Sequence, residues 1–238
     1  MLAPEKVLPI EGSARVLARE QRPGAQRRAA NPELVVAHEP FHPCAEELRA
    51  LRTKLQIRWY NAGVSRRALA IASPGPGEGR SYLAANLAVA FAQLGERTLL
   101  VDADLRSPRQ HRIFGLPAGA GLSAVLSGDA DHGALVPLPD FGPLSILPAG
   151  AVPPNPQELL SRAGLAALLR ELRAEFDVVL FDTPPARHCA DAHSVAFRAG
   201  HALVLARRHH TRLADASALA RELGDTGASV LGTVCNAF

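Results

Sequence analysis

Apolar and polar positions along this chain follow two rhythms, and from residue 67 onward the two take turns. Short runs at 68–73, 97–102, 176–182, 201–206 and 229–235 have the length and near-continuous apolar character of strands buried on both faces, and 144–149 is a briefer run of the same kind. Between them, 81–94, 156–173, 190–199 and 212–223 carry helical spacing. Alternating strands and helices need crossover connections, so the expected fold is α/β, a mostly parallel sheet with helices on both faces. No internal repeat interrupts the series, and the glycine- and proline-rich stretch 116–143 is expected to be irregular surface.

Upstream the pattern changes. Residues 45–59 have helical periodicity, with Leu48, Leu51, Leu55 and Trp59 along one stripe. Glu46, Arg49 and Arg52 stand three apart and share another face, which is either an ordinary charged helix surface or a place to pair with a neighbouring subunit. Residues 1–40 read as a flexible arm, because 21–28 is rich in turn formers with little to bury, and one domain is expected over 41–238, opening with the helical segment 41–62.

Charge and composition narrow the class. Residues 1–67 hold 12 Lys/Arg against 7 Asp/Glu, while the remainder holds 14 against 16. The basic excess therefore sits in front, as a solvated arm or one weakly attracted to anionic lipid headgroups or an acidic partner. Nucleic-acid binding is not expected, since no aromatic residues interleave the arginines. The 47% hydrophobic content suits a buried core. No run approaches the roughly 18 apolar residues of a membrane span, and the first residues lack a signal-peptide core, so a soluble cytoplasmic chain is expected. Cys44, Cys189 and Cys235 form no C-x-x-C pair, and His188/His193 and His209/His210 lack a third ligand, so no metal cluster is expected from them.

The chemistry concentrates where the first domain strand gives way to a helix. In Ser73-Pro-Gly-Pro-Gly-Glu-Gly-Arg80-Ser81, the glycines Gly75, Gly77 and Gly79 let the backbone curl so that successive N–H groups point inward, and the following helix adds partial positive charge for a polyphosphate. Ser81 is placed to ligate Mg²⁺. The pattern G-x-x-x-x-G-K-[ST] is broken at Pro74 and at Arg80, and the chain's two lysines, Lys6 and Lys54, lie outside this region. Arginine keeps the charge and can fork onto phosphate oxygens, yet it is longer and planar and does not simply replace an ammonium. Two other strands end in acids, at Asp102 and Asp104 and at Asp182. In an open parallel sheet such carboxylates converge on the glycine loop.

Three segments then resemble a family. Ser-Pro-Gly-Pro-Gly-Glu-Gly-Arg-Ser, Leu-Leu-Val-Asp-Ala-Asp-Leu-Arg-Ser-Pro and Val-Val-Leu-Phe-Asp-Thr-Pro-Pro are similar, in order and spacing, to the Walker A, Walker A′ and Walker B motifs of bacterial tyrosine kinases. These are cytoplasmic P-loop NTPases that work with chain-length determinants of capsule and exopolysaccharide export. The likeness spans about residues 40–238, includes Pro153-Pro-Asn-Pro-Gln-Glu-Leu-Leu160, and is greatest toward the EpsG-type branch.

The resemblance implies ATP and Mg²⁺ as cofactors, with Gly75, Gly77, Glu78, Gly79, Arg80, Ser81 and Tyr82 as the nucleotide-binding segment. It implies Ser81, Asp102 and Asp182 for the metal, and Arg80, Asp102 and Asp104 for catalysis. Glu46, Arg49 and Arg52 match an E-x-x-R-x-x-R motif linked to ring-like self-association, so a homo-oligomer is expected. The implied partner is a membrane polysaccharide co-polymerase or chain-length determinant, through which the protein would sit at the inner membrane. Arg106 is a candidate for reaching a phosphate or a neighbouring subunit, and Asn236 for contacting adenine or capping the last strand.

The family's C-terminal tyrosine cluster has no counterpart before Phe238, so tail autophosphorylation is not expected, and Tyr60 and Tyr82 are the chain's two tyrosines. Two other readings are compatible with the loop. One is a regulatory nucleotide switch that binds but scarcely turns over. The other is a partitioning ATPase, against which Gly75 stands where such proteins carry an additional lysine.

Overall fold

Strands that are apolar on both sides need cover on both sides, and the architecture supplies it. The computed structural model describes residues 31–61, 63, 67–130 and 134–237. Within them β1 (Arg67–Ala72), β2 (Thr98–Asp102), β3 (Val136–Leu138), β4 (Leu144–Leu147), β5 (Val178–Asp182), β6 (His201–Arg207) and β7 (Ser229–Asn236) form one sheet in the order β3-β4-β2-β5-β1-β6-β7. Every pairing is parallel except that of β3 with β4. The α/β architecture expected from the alternating pattern is the one observed.

Side chains alternate across the sheet and so build two cores. Leu69 and Ile71 of β1, Leu100 of β2 and Leu180 of β5 face α1 (Val35–His38), α2 (Pro43–Asn61), α3 (Arg80–Ala92) and α4 (Gln110–Ile113). On the opposite face, Leu99, Val179 and Phe181 pack under α5 (Leu122–Ser127), α6 (Pro156–Ser161), α7 (Ala163–Glu175), α8 (Asp191–Ala199) and α9 (Leu213–Asp225). Ala68, Ala70 and Ala72 line that side of β1, and their small size lets α8 lie close against the strand. The expected stripe of α2 is buried at Leu48, Leu55 and Trp59 and half-buried at Leu51. Trp59 meets Phe91 at 5.9 Å between ring centroids, with the Arg67 guanidinium 5.9 Å from its ring.

Three local features depart from the periodicity. The helix expected over 156–173 is two helices, because Arg162 is extended (ψ 162°) and Arg198 donates to the Ser161 carbonyl. The stretch 116–143, expected to be irregular, contains α5 and β3; Pro137 sits in the middle of β3, which is tolerated because that strand is at the sheet edge. The arm expected over 1–40 lies outside the described residues up to position 30, but from Asn31 the chain is built into the fold. Leu34, Val35 and Val36 are buried, Asn31 Nδ2 donates to the Ile113 carbonyl (2.8 Å), and Asn86 receives the Val36 N–H (3.1 Å) while donating to the Glu33 carbonyl (2.7 Å). Four apolar residues between Glu33 and His38 are too few for a periodicity reading to register as a helix. Among the described residues no helix is long and apolar enough to cross a membrane.

Candidate functional site

Strand register assembles the site. Asp182 at the end of β5 pairs with Ile71 of β1 on one side and stands directly opposite Asp102 of β2 on the other. The loop 73–79 leaves β1 at this same carboxyl edge, where ligands of open parallel sheets bind. In the loop, Gly77 has φ +70° and Gly79 φ +99°, conformations natural to glycine and strained for other residues. Gly79 then caps α3, and no side chain caps its first N–H groups, the arrangement that suits a helix N-terminus to an anion.

The loop is braced from behind. The Gly75 N–H donates to Glu78 Oε2 (2.9 Å), the Thr211 hydroxyl donates to Glu78 Oε1, Asn236 Nδ2 donates to the Glu78 carbonyl (3.0 Å), and Arg207 Nη1 donates to the Gly77 carbonyl (3.1 Å). The Gly75 N–H is thus held by the Glu78 carboxylate, which leaves the Glu78 main-chain N–H as that residue's means of meeting a phosphate, and Asn236 acts on the loop backbone.

Arg80 also lies beneath the loop, only 9% exposed. Its Nε donates to the Thr183 carbonyl (2.8 Å), and Nη1 donates to the Gly75 carbonyl (2.6 Å) and the Ser73 hydroxyl. The guanidinium thus ties together the ends of β1 and β5, leaving Nη2 as the edge outside these bonds. Burial lowers its pKa, while Asp182, Asp104 and Glu78 raise it.

The acids are buried: Asp102 and Asp182 are at most 1% exposed. Asp102 Oδ2 accepts from the Arg109 and Gln110 N–H groups (3.1 and 2.9 Å). Asp182 accepts from Gln110 Nε2 (2.8 Å), the Ser81 hydroxyl is near enough to favour its charged form, and its Oδ1 has no hydrogen-bond partner among the described residues. Burial is the largest influence on both. It pushes Asp182 up to about 6 against the pull of Ser81, Gln110 and Arg80, and it raises Asp102 well above the carboxylate range, with the facing Asp182 charge adding to the rise. Two carboxylates side by side in a buried place disfavour carrying two negative charges without a cation between them. Asp104 Oδ1 caps the following turn through the Arg106 and Ser107 N–H groups (3.2 and 2.9 Å).

Other candidate residues make contacts within the chain. Arg106 forms a two-bond pair with buried Asp191 (2.8 and 3.3 Å) rather than reaching free toward a ligand. The Tyr82 hydroxyl turns to Cys44 Sγ of α2 (3.4 Å), away from the acids, and burial raises its pKa. Tyr82 instead lines, with Leu51, Leu83, Leu205, Gly79 and Asn236, a largely apolar cavity of about 640 Å³ beside the loop. On α2, Arg49 pairs with Glu46 and donates to the Pro40 carbonyl (2.7 Å), and Arg52 Nη1 donates to the Ala90 carbonyl (3.0 Å), so both arginines fold back on their own chain. Among the described residues no group of His, Cys, Asp and Glu forms a metal cluster; His193 is paired with Glu222 (3.3 Å).

Gln110, Thr183, Arg207 and Thr211 are parts of the site that the motifs did not announce. Thr183 directly follows Asp182, which is a signal in retrospect. The other three, at the start of α4, at the end of β6 and in the bend before α9, approach the loop in a way that only the folded chain reveals.

Comparison with known proteins agrees with this geometry. Residues 69–135 match the CobQ/CobB/MinD/ParA nucleotide binding domain. Tyrosine-protein kinase YwqD of Bacillus subtilis is 36% identical over 205 residues, covering 85% of each chain. EpsB of Ralstonia nicotianae is also 36% identical, over 210 residues, but the match covers 86% of this chain and 27% of EpsB, so the chain spans about a quarter of that relative. The kinase domain of the Escherichia coli tyrosine kinase ETK superposes with a TM-score of 0.82 at 29% identity, covering 89% of this chain and 82% of that one. With the phosphate loop on β1, the paired acids on β2 and β5 and a relative matched over most of both lengths, the chain belongs to the bacterial tyrosine-kinase domains of the P-loop NTPases.

Proposed function

We propose that this chain is the Mg·ATP-binding catalytic domain of a protein tyrosine kinase of the EpsG-type branch, controlling exopolysaccharide chain length or export. The observation that carries the reading is the buried pair Asp102–Asp182, in register across β2 and β5, with the Ser81 hydroxyl close to Asp182 and one Asp182 oxygen without a hydrogen-bond partner among the described residues. An all-oxygen set containing two carboxylates and a hydroxyl fits Mg²⁺, a hard cation. The unpaired Oδ1 supports the fit, because a buried carboxylate oxygen without a donor is costly unless something fills the place.

Ser81, Asp102 and Asp182 would hold the ion, which when bound supplies charge neutralisation at the transferred phosphoryl group. The N–H groups from Gly77 into the first turn of α3 would bind the phosphates, and the Nη2 edge of Arg80 adds a fixed positive charge under them. Asp102 or Asp104 would orient the incoming hydroxyl; Asp104 Oδ2 is not used by the turn that Oδ1 caps. The apolar cavity adjoining Gly79 offers a place for the base. A membrane polysaccharide co-polymerase or chain-length determinant is the proposed partner, with self-association through the face of Glu46, Arg49 and Arg52 and location at the inner membrane through that partner.

The regulatory switch remains the second reading, favoured by one observation: Arg80 is committed to protein oxygens on two of its three nitrogens. The test is γ-phosphoryl transfer from ATP to tyrosine peptides drawn from the cytoplasmic segments of chain-length determinants. Transfer that Asp102→Asn lowers about 100-fold or more, the range of a lost transition-state charge contact, supports the kinase. Binding of ATP without transfer supports the switch.

A further inference from the structure

Gln110 occupies the centre of the acidic pair, although nothing in its sequence surroundings marks it. It opens the single turn α4, is completely buried, and makes three bonds to three different elements. Its main-chain N–H donates to Asp102 Oδ2 at the end of β2 (2.9 Å). Its side-chain Nε2 donates to Asp182 Oδ2 at the end of β5 (2.8 Å) and to the Ser81 carbonyl in the first turn of α3 (3.1 Å). Both protons of the amide nitrogen are thereby used, which fixes the amide orientation: reversed, it would set oxygen against two acceptors. Among the described residues two oxygens here, Gln110 Oε1 and Asp182 Oδ1, are buried without a hydrogen-bond donor.

The choice of a neutral donor is informative. A lysine or arginine at this position would also orient Asp182, but it would neutralise the carboxylate and compete with any cation for it. An amide fixes the rotamer and leaves the negative charge in place. The bond also occupies Oδ2, so the oxygen without a donor is Oδ1. Main-chain donation to Asp102 from the same residue sets the spacing of the two acids, because both depend on where α4 begins.

We infer that Gln110 is a positioning residue for the divalent-cation site, holding Asp182 against the first turn of α3 so that its unpaired oxygen is presented to the metal. The inference rests on the Mg·nucleotide reading of this site. Its signature is a selective loss of the magnesium contribution to nucleotide affinity, since the phosphate loop itself does not touch the Gln110 side chain beyond the Ser81 carbonyl.

The experiment measures ADP affinity of the full chain in Mg²⁺ and in EDTA, for the wild type, Gln110→Met, Gln110→Asn and Arg112→Ala. Methionine keeps the length without an N–H, and asparagine keeps the amide but is too short to reach. The Mg²⁺ enhancement of ADP affinity is expected to fall about tenfold in both, the equivalent of one lost hydrogen bond to a charged group, while affinity in EDTA stays within about twofold. Arg112→Ala, which loses a bond to the Pro108 carbonyl in the same turn, is expected to keep the wild-type enhancement. If Gln110→Met does not fold, Gln110→Asn carries the comparison.

An enhancement unchanged in the Gln110 variants, or affinity lost equally in Mg²⁺ and EDTA, overturns the positioning role while leaving the nucleotide site intact. A wild type that binds ADP in neither buffer contradicts the nucleotide reading itself, and this inference with it.

Discussion

Gly79→Ala is expected to weaken nucleotide binding and to lower stability at the same time. At φ +99° an alanine is strained, and its Cβ would fall against Asn236 Nδ2, well inside contact distance. Asn236 cannot retreat freely, because the same nitrogen holds the Glu78 carbonyl. Backbone strain of about 1–3 kcal/mol at such a position corresponds to roughly a 5- to 150-fold effect on whatever requires the loop in its present shape. ADP affinity measured by calorimetry should therefore fall by about that factor, with a lower melting temperature. Asn236→Ala alone, which removes the brace but not the curl, is expected to produce a smaller loss. An alanine variant that binds ADP like the wild type would mean that the loop curl is not what holds phosphate.

Arg80→Met is expected to have the larger effect on folding. The guanidinium supplies donors to the Ser73 hydroxyl and to the Gly75 and Thr183 carbonyls in a place 9% exposed. Methionine is of comparable length but leaves the Thr183 carbonyl unpaired, reduces the Gly75 carbonyl and the Ser73 hydroxyl to the bond they make with each other, and withdraws positive charge from Asp182, Asp104 and Glu78. Unsatisfied buried acceptors cost about 1–3 kcal/mol each, so a loss of about 3 kcal/mol is expected, roughly 6 to 12 °C in melting temperature for a domain of this size. Arg80→Lys keeps the charge and can bond one or two of these oxygens, so its stability should lie between the wild type and Arg80→Met. It should also retain ADP binding, which Arg80→Met should weaken. If Arg80→Met melts like the wild type, the buried fork is not a structural tie.

The two variants separate features that the sequence presented as one motif. Glycines at 75, 77 and 79 looked equivalent, but only Gly77 and Gly79 need positive φ, and Gly75 instead gives its N–H to Glu78. The strand ends carrying Asp102 and Asp182 were legible because continuous apolar runs stop at acids, and parallel pairing brings them into register. The buried stripe of α2 was legible for a similar reason, its apolar positions recurring at helical spacing.

What escaped the linear reading depends on distance in space. Gln110 lies among Arg106, Arg109 and Arg112 in a polar stretch, and its importance comes from a bond to a residue 72 positions away. Arg207 and Thr211 brace the loop across 130 and 133 positions, from either side of a turn where His209 adopts φ +59°. The segment from Asn31 was obscured by its own brevity, since its three buried apolar residues gain meaning only when Asn86 of α3 binds the backbone on either side.

The central claim is that one cavity joins a curled anion-binding loop to a divalent cation held by Ser81, Asp102 and Asp182. Isothermal titration of ADP into the full, folded chain, first with saturating Mg²⁺ and then with EDTA, addresses it most directly. Saturable binding at one site per chain, weakened about tenfold or more when Mg²⁺ is removed, is the predicted result. No heat of binding in saturating Mg²⁺ from well-folded protein would contradict it.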